Sequence, residues 1–191
     1  MSNSDEMDTS SNDSQNSERK SFKPNDILIY NISSLLNSVI EENKNLKNYR
    51  AKISQQKKLI FYLEDIPLIS IKDYLHRIQS FAKVEDNTLI LSLIYIDKIC
   101  EKTSIILSEY NIHKILFTSI LVAIKFNEDL YYKNKDYAKV AGVSTKELNK
   151  MEREFLRLIK FETYVNKQIF DKYKKYVSKI NRMTKDKNFI L

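Results

Sequence analysis

One glycine and two prolines, Gly142, Pro24 and Pro67, are spread over 191 residues. Tight chain reversals depend on those residue types, so a sandwich or barrel with its many turns has little to be built from here. Helices joined by short polar connections suit the sequence better, and the expected fold class is all-α. A chain of this length can bury one substantial core and leaves little for a second domain.

Residues 1–22 are rich in Ser, Asn and Asp and bury too little to offset chain entropy, so they are expected to form a disordered acidic tail. Ile29, Ile32, Leu35, Leu36, Val39 and Ile40 then recur at intervals of three and four, which predicts an amphipathic helix capped by Asn25 or Asp26. The mixed, basic stretch after it reads as a connection with one or two weak turns, and 23–66 is the N-terminal helix with this connection.

Beyond Pro67, Ser70 with Asp73 three residues later marks a helix start, and Ile71, Tyr74, Leu75, Ile78 and Phe81 share one face. Thr88 to about Lys102 and Ile112 to Phe126 are apolar on nearly every side. Both are too long for strands and their apolar runs far too short to span a bilayer, so they are expected to be helices wrapped by other helices. Asn111 stands as cap of the second, where Ser119 and Ala123 form a small-residue strip for a close helix neighbour. Asp136 opens a short helix that Gly142 stops in the left-handed region. Ser144-Thr145-Lys146-Glu147 is a full capping box for a helix to about Ile159, with Leu148, Met151, Phe155 and Leu158 or Ile159 inward. A last helix runs from Asn166 to about Ile180, with Ile169, Phe170, Tyr173 and Val177 facing the core. The expected organisation is five consecutive helices within 67–165, one further helix on each side, and 166–191 as C-terminal helix and tail.

The formal charge of +7 is unevenly placed: residues 1–20 carry a net −3 and the remainder +10. A basic domain suits an acidic partner surface, whether nucleic acid, phosphorylated peptide or protein, and charge does not choose among them. Cys100 alone allows no intrachain disulfide or thiolate cluster, and His76 and His113 are too few for a His-rich metal site. Cys100 reads as a small core residue and both histidines as surface or half-buried side chains. G-x-S-x-G, a glycine-rich phosphate loop and H-E-x-x-H are all missing, so neither an enzyme nor a cofactor is expected. The acidic N-terminal stretch resembles neither a secretory signal nor a transit peptide, and the expected setting is intracellular, nucleus or cytoplasm, with no membrane partner.

Three stretches carry a family resemblance. LILSLIYIDKI resembles the second helix of a cyclin box, and ILFTSILVAIKFNEDLYYKNKDYAKVAGVSTKELNKMEREFLRLIKF its third to fifth helices. YVNKQIFDKYKKYV continues the match, and SIKDYLHRI with YAKVAGVSTKELN is most similar to P-type or U-type cyclins, the group of the yeast phosphate-signalling cyclin. The resemblance spans about residues 27–178 and is strongest over 68–165. It implies a single cyclin box that forms a heterodimer with a cyclin-dependent protein kinase and activates it by docking on the kinase C helix. By the same resemblance, Lys125 and Glu152 flank the kinase-gripping groove, and Val122, Phe126, Leu156 and Phe161 line it. Cell-cycle cyclins pair an early arginine with the aspartate matched by Asp97; no arginine stands at 68–71, and Arg77 lies a few residues later. Their Met-Arg-Ala-Ile-Leu docking signature is also missing. Two alternatives stay open: a transcription-factor-type module of this fold that contacts nucleic acid, disfavoured because the basic residues show no concentrated stripe, and a scaffold that binds a kinase without activating it.

Overall fold

A computed structural model of the protein describes residues 25–186, with side chains described as far as residue 180. The expected acidic tail at 1–22 lies outside the described residues. The described chain is all-helical: α1 (Asp26–Lys44), α2 (Tyr49–Gln56), α3 (Ile71–Ala82), α4 (Asp86–Lys102), α5 (Ile112–Asn127), α6 (Asn134–Ala141), α7 (Thr145–Leu158) and α8 (Lys167–Asp186). Helices α3 to α7 form the five-helix unit, and α1 and α8 pack against each other beside it.

The two helices that are apolar all round form the centre. α4 and α5 make the most extensive pairing, and α5 is buried almost without interruption from Ile112 to Ile124. Three hydroxyls inside this core are satisfied within their own helices: Ser92 donates to the Leu89 carbonyl at 2.7 Å, Thr118 to Lys114 at 2.6 Å and Ser119 to Leu116 at 2.8 Å. On α7, Leu148, Met151, Phe155 and the following Ile159 are fully buried, as their spacing demands.

Two helices precede the five-helix unit rather than one. The connection after α1 contains α2, and its basic surface conceals two anchors, Ile53 and Phe61. Phe61 meets Phe155 edge-on with ring centroids 6.2 Å apart. The connection is further held by the Leu63 N–H, which donates to the Tyr110 carbonyl at 2.7 Å, and by Lys114, which donates to the Ile60 and Tyr62 carbonyls.

Local expectations are met at α1 and need correction elsewhere. Asn25 caps α1, accepting from the Leu28 N–H at 3.1 Å. Asn111 occupies the cap position of α5, yet its side chain turns back to the preceding loop, accepting from the Ser108 N–H and donating to the Ile106 carbonyl. α6 starts at Asn134, two residues before Asp136. Phe81 and Ile169 are exposed, not inward; Phe81 lies against Tyr132 at 5.6 Å instead. His113 is buried, with Nε2–H donating to the Ile69 carbonyl at 2.9 Å. Cys100 is half-buried, and burial pushes its thiol up to about 12.

Candidate partner-binding site

The site begins with two helix boundaries. Gly142 ends α6 at φ 74°, and the Val143 N–H returns to the Ala138 carbonyl at 3.1 Å, closing a Schellman-type turn. Ser144 then opens α7 by accepting from the Glu147 N–H at 3.1 Å. The second half of the expected capping box is replaced: the Glu147 carboxylate pairs with Lys114 of α5 at 2.8 Å. These three residues fix where α7 starts and which face it turns towards α5.

With that register, Lys125 in the last turn of α5 meets Glu152 in the middle of α7 at 2.6 Å. Their side chains are 22% and 16% exposed, so the pair sits at the surface edge of the core rather than in open water. Asn134, at the start of α6, donates to the other Glu152 oxygen at 2.8 Å and to Asn149 Oδ1 at 2.7 Å. Both carboxylate oxygens are therefore occupied. The ammonium sits where the α5 dipole favours a cation, and among the described residues only Glu152 takes one of its three donors, which leaves two N–H groups for outside acceptors.

The four expected lining residues divide. Phe126 and Phe161 are 58% and 68% exposed, Leu156 is half-buried, and Val122 is fully buried. Val122 faces the core side of α5 and supports the floor from beneath instead of lining it. Phe161 is held in an unusual way. Lys160 and Phe161 both adopt left-handed backbone, φ 57° and 56°, without being glycine, a conformation that costs about 1–2 kcal/mol per residue. The Phe161 N–H closes on the Leu156 carbonyl at 2.8 Å.

Helix α4 holds this strained link in place. The Tyr95 hydroxyl donates to the Thr163 carbonyl at 2.7 Å, Lys98 donates to the carbonyls of Glu162 and Tyr164, and Lys102 pairs with the Glu162 carboxylate at 2.8 Å. A cavity of about 710 Å³ opens between Phe126 and Tyr164, lined also by Leu91, Tyr95 and Phe170. Nothing in the sequence marks Tyr95, Lys98, Lys102, Asn134 and Asn149 as residues of this face. Only the paired boundaries of α4, α6 and the α7–α8 link bring them to this face.

Among the described residues Asp97 pairs with no arginine. It accepts a hydrogen bond from the Tyr173 hydroxyl of α8, while Arg77 donates to the Lys139 carbonyl at 3.1 Å. Burial, with the carboxylate beside it, raises the Tyr173 hydroxyl above its ordinary range. Asp97 thus joins α4 to α8 instead of α4 to α3. Among the described residues no group of three or more His, Cys, Asp or Glu is placed to hold a metal, and no helix is long and apolar enough to cross a membrane.

The family model described as Cyclin matches residues 2–163. Cyclin-U4-1 of Arabidopsis thaliana is 37% identical over 153 residues, covering 80% of this chain and 75% of that protein. Cyclin-U2-2 of the same plant is 35% identical over 150 residues, covering 77% of this chain and 65% of that one. PHO85 cyclin-7 of Saccharomyces cerevisiae is 32% identical over 169 residues, covering 78% and 59% respectively. The chain thus spans a little under two thirds of the last two relatives.

Proposed function

The chain belongs to the cyclin family, among its P-type and U-type members, and from that premise we propose that it is the regulatory subunit of a cyclin-dependent protein kinase, gripping the kinase C helix between α5 and α7. One relative is by name a cyclin of PHO85, and the same kind of partner is inferred for this chain. The observation that carries the reading is the half-buried Lys125–Glu152 pair that joins α5 to α7, with an exposed phenylalanine, Phe126 or Phe161, at the C-terminal end of each helix. The rings supply apolar anchors of a type that dominates protein interfaces, each burying surface worth about 1.5–3 kcal/mol. The spare N–H donors of Lys125 suit main-chain carbonyls on the partner, and Glu152 keeps the ammonium aimed outward.

Activation by such a contact is a population shift. The groove must bind the inward position of the kinase C helix more tightly than the outward one; equal affinity for both would shift nothing. The inward position lets the kinase form its own Lys–Glu pair and order its activation loop. This partner implies a site of action within the cell, in the nucleus or the cytoplasm.

The test is affinity capture of the tagged full-length chain, identification of the retained kinase, and assay of that kinase with and without the chain. Lys125→Glu and Phe161→Ala are expected to reduce capture at least about tenfold while circular dichroism stays helical. Capture and activation at the parental level by both folded variants would sink the groove. Capture without activation would identify a scaffold, and salt-sensitive retention on duplex DNA with no kinase would favour the nucleic-acid module.

A further inference from the structure

Lys146, Lys150, Arg153 and Arg157 follow one another at intervals of four, three and four, so on α7 they form a single exposed row opposite the buried Leu148, Met151 and Phe155. The sequence read in line shows no such stripe; the helix creates it. Lys150, Arg153 and Arg157 line a cavity of about 420 Å³ whose other wall is Lys58, Leu59 and Ile60, from the connection after α2. Four cations and one acid, Glu154, surround this space. Among the described residues no carboxylate pairs with Lys58, Lys150 or Arg153.

The arrangement is more than a solvated row of lysines. The connection is pinned to α5 through Lys114, so Lys58 is brought across from a different part of the chain. The Arg157 guanidinium is held by Glu154 through two bonds, Nε at 2.9 Å and an Nη at 2.6 Å. That carboxylate already occupies the fork an external anion would use. Two partly buried apolar side chains, Leu59 and Ile60, stand beside the charges.

We infer that this cavity is a docking site for a phosphorylated serine or threonine in a partner peptide. A phosphate dianion offers three acceptor oxygens to converging ammonium and guanidinium groups, and charge-assisted bonds of this kind are the strong ones. Leu59 and Ile60 give the flanking peptide an apolar rest. Two features select a single phosphate over a nucleic-acid backbone. The cationic row covers one helix face, about 17 Å long, and Glu154 interrupts it, whereas a phosphodiester chain needs a continuous basic surface. The site lies on a different side of α7 from Glu152 and forms without the proposed kinase contact.

The experiment uses the full-length chain and immobilised libraries of short peptides with a fixed phosphoserine, or serine, and degenerate flanks. The phosphoserine library is expected to retain at least about tenfold more protein. Lys150→Glu and Arg153→Glu each remove that excess, Glu154→Ala increases it, and Lys125→Glu leaves it unchanged. Equal retention by both libraries, full retention of the folded Lys150→Glu and Arg153→Glu variants, or displacement by duplex DNA at lower concentration than by free phosphoserine peptide would overturn the assignment.

Discussion

The Tyr95 hydroxyl donates to the Thr163 carbonyl across 2.7 Å and so fastens the link that presents Phe161 to a helix buried at the centre of the fold. The ring of Tyr95 is fully buried, and Phe can replace it with little change of volume. Tyr95→Phe is expected to cost about 1 kcal/mol, lowering Tm by about 2–4 °C. Faster hydrogen exchange confined to residues 160–165 is the specific sign; an unchanged exchange rate there would mean that Lys98 and Lys102 hold the link alone.

Ser144 and Glu147 separate two effects at the start of α7. Ser144→Ala removes the hydroxyl that accepts from the Glu147 N–H and should cost about 1 kcal/mol, readable by urea titration. Glu147→Gln keeps a side chain able to cap but loses the charge that pairs with Lys114. Its expected cost is up to about 1 kcal/mol, largest at low salt and shrinking as salt is added. A loss independent of salt would assign Glu147 to the cap after all.

Gly142 tests backbone conformation by itself, because a Cβ there would meet nothing within 4 Å at φ +74°. Gly142→Ala is expected to destabilise by about 1 kcal/mol through the left-handed conformation alone. Gly142→Asn should cost less, since Asn tolerates that region. A loss several times larger for Ala, measured by thermal denaturation, would reveal a neighbour close to this turn.

His113 gives the protein a pH-dependent term. Burial lowers its pKa below the ordinary 6.5, although the Ile69 carbonyl opposes this, and among the described residues the buried Nδ1 has no hydrogen-bond partner. The unfolded chain therefore binds the proton first as pH falls. Stability present above 6.5 is lost as pH drops through 6.5 toward the lower folded value, by at most about 1.4 kcal/mol per pH unit. Urea midpoints at pH 7.5 and 5.5 should fall more for the parent than for His113→Gln, which keeps a donor for Ile69. Parallel changes in both proteins would remove His113 from the acid response.

The helices were legible because burial imposes a period on the sequence. α7 shows this best: Leu148, Met151 and Phe155 repeat at three and four, and Ser144 and Gly142 mark its beginning. Interactions between elements were not legible. Glu147 matches a capping box in line, but Lys114, thirty-three positions earlier, outcompetes the local backbone for its carboxylate. Asp136 is the start that the sequence suggests for α6, and Asn134, two residues before it, carries no sign of its bond to Glu152. Val122 and Phe126 are one turn apart on an apolar helix, and nothing in their identities tells the buried residue from the exposed one. The strain at Lys160 and Phe161 is equally silent, because neither residue type announces left-handed backbone.

The Asn31 carboxamide of α1 donates to the Val177 carbonyl of α8 at 3.0 Å, a bond that spans 146 positions in sequence. Both helices also cover the centre: α1 lies on α3 and α8 on α4. During synthesis from the N-terminus, α1 emerges well before its cover, α8. Until Val177 is made, the apolar side of α1 has lost part of its shelter to a segment not yet translated. The shelter of α1 is thus complete only once α8 has followed it out of the ribosome, and a chain cut short after α7 would leave part of its apolar side bare.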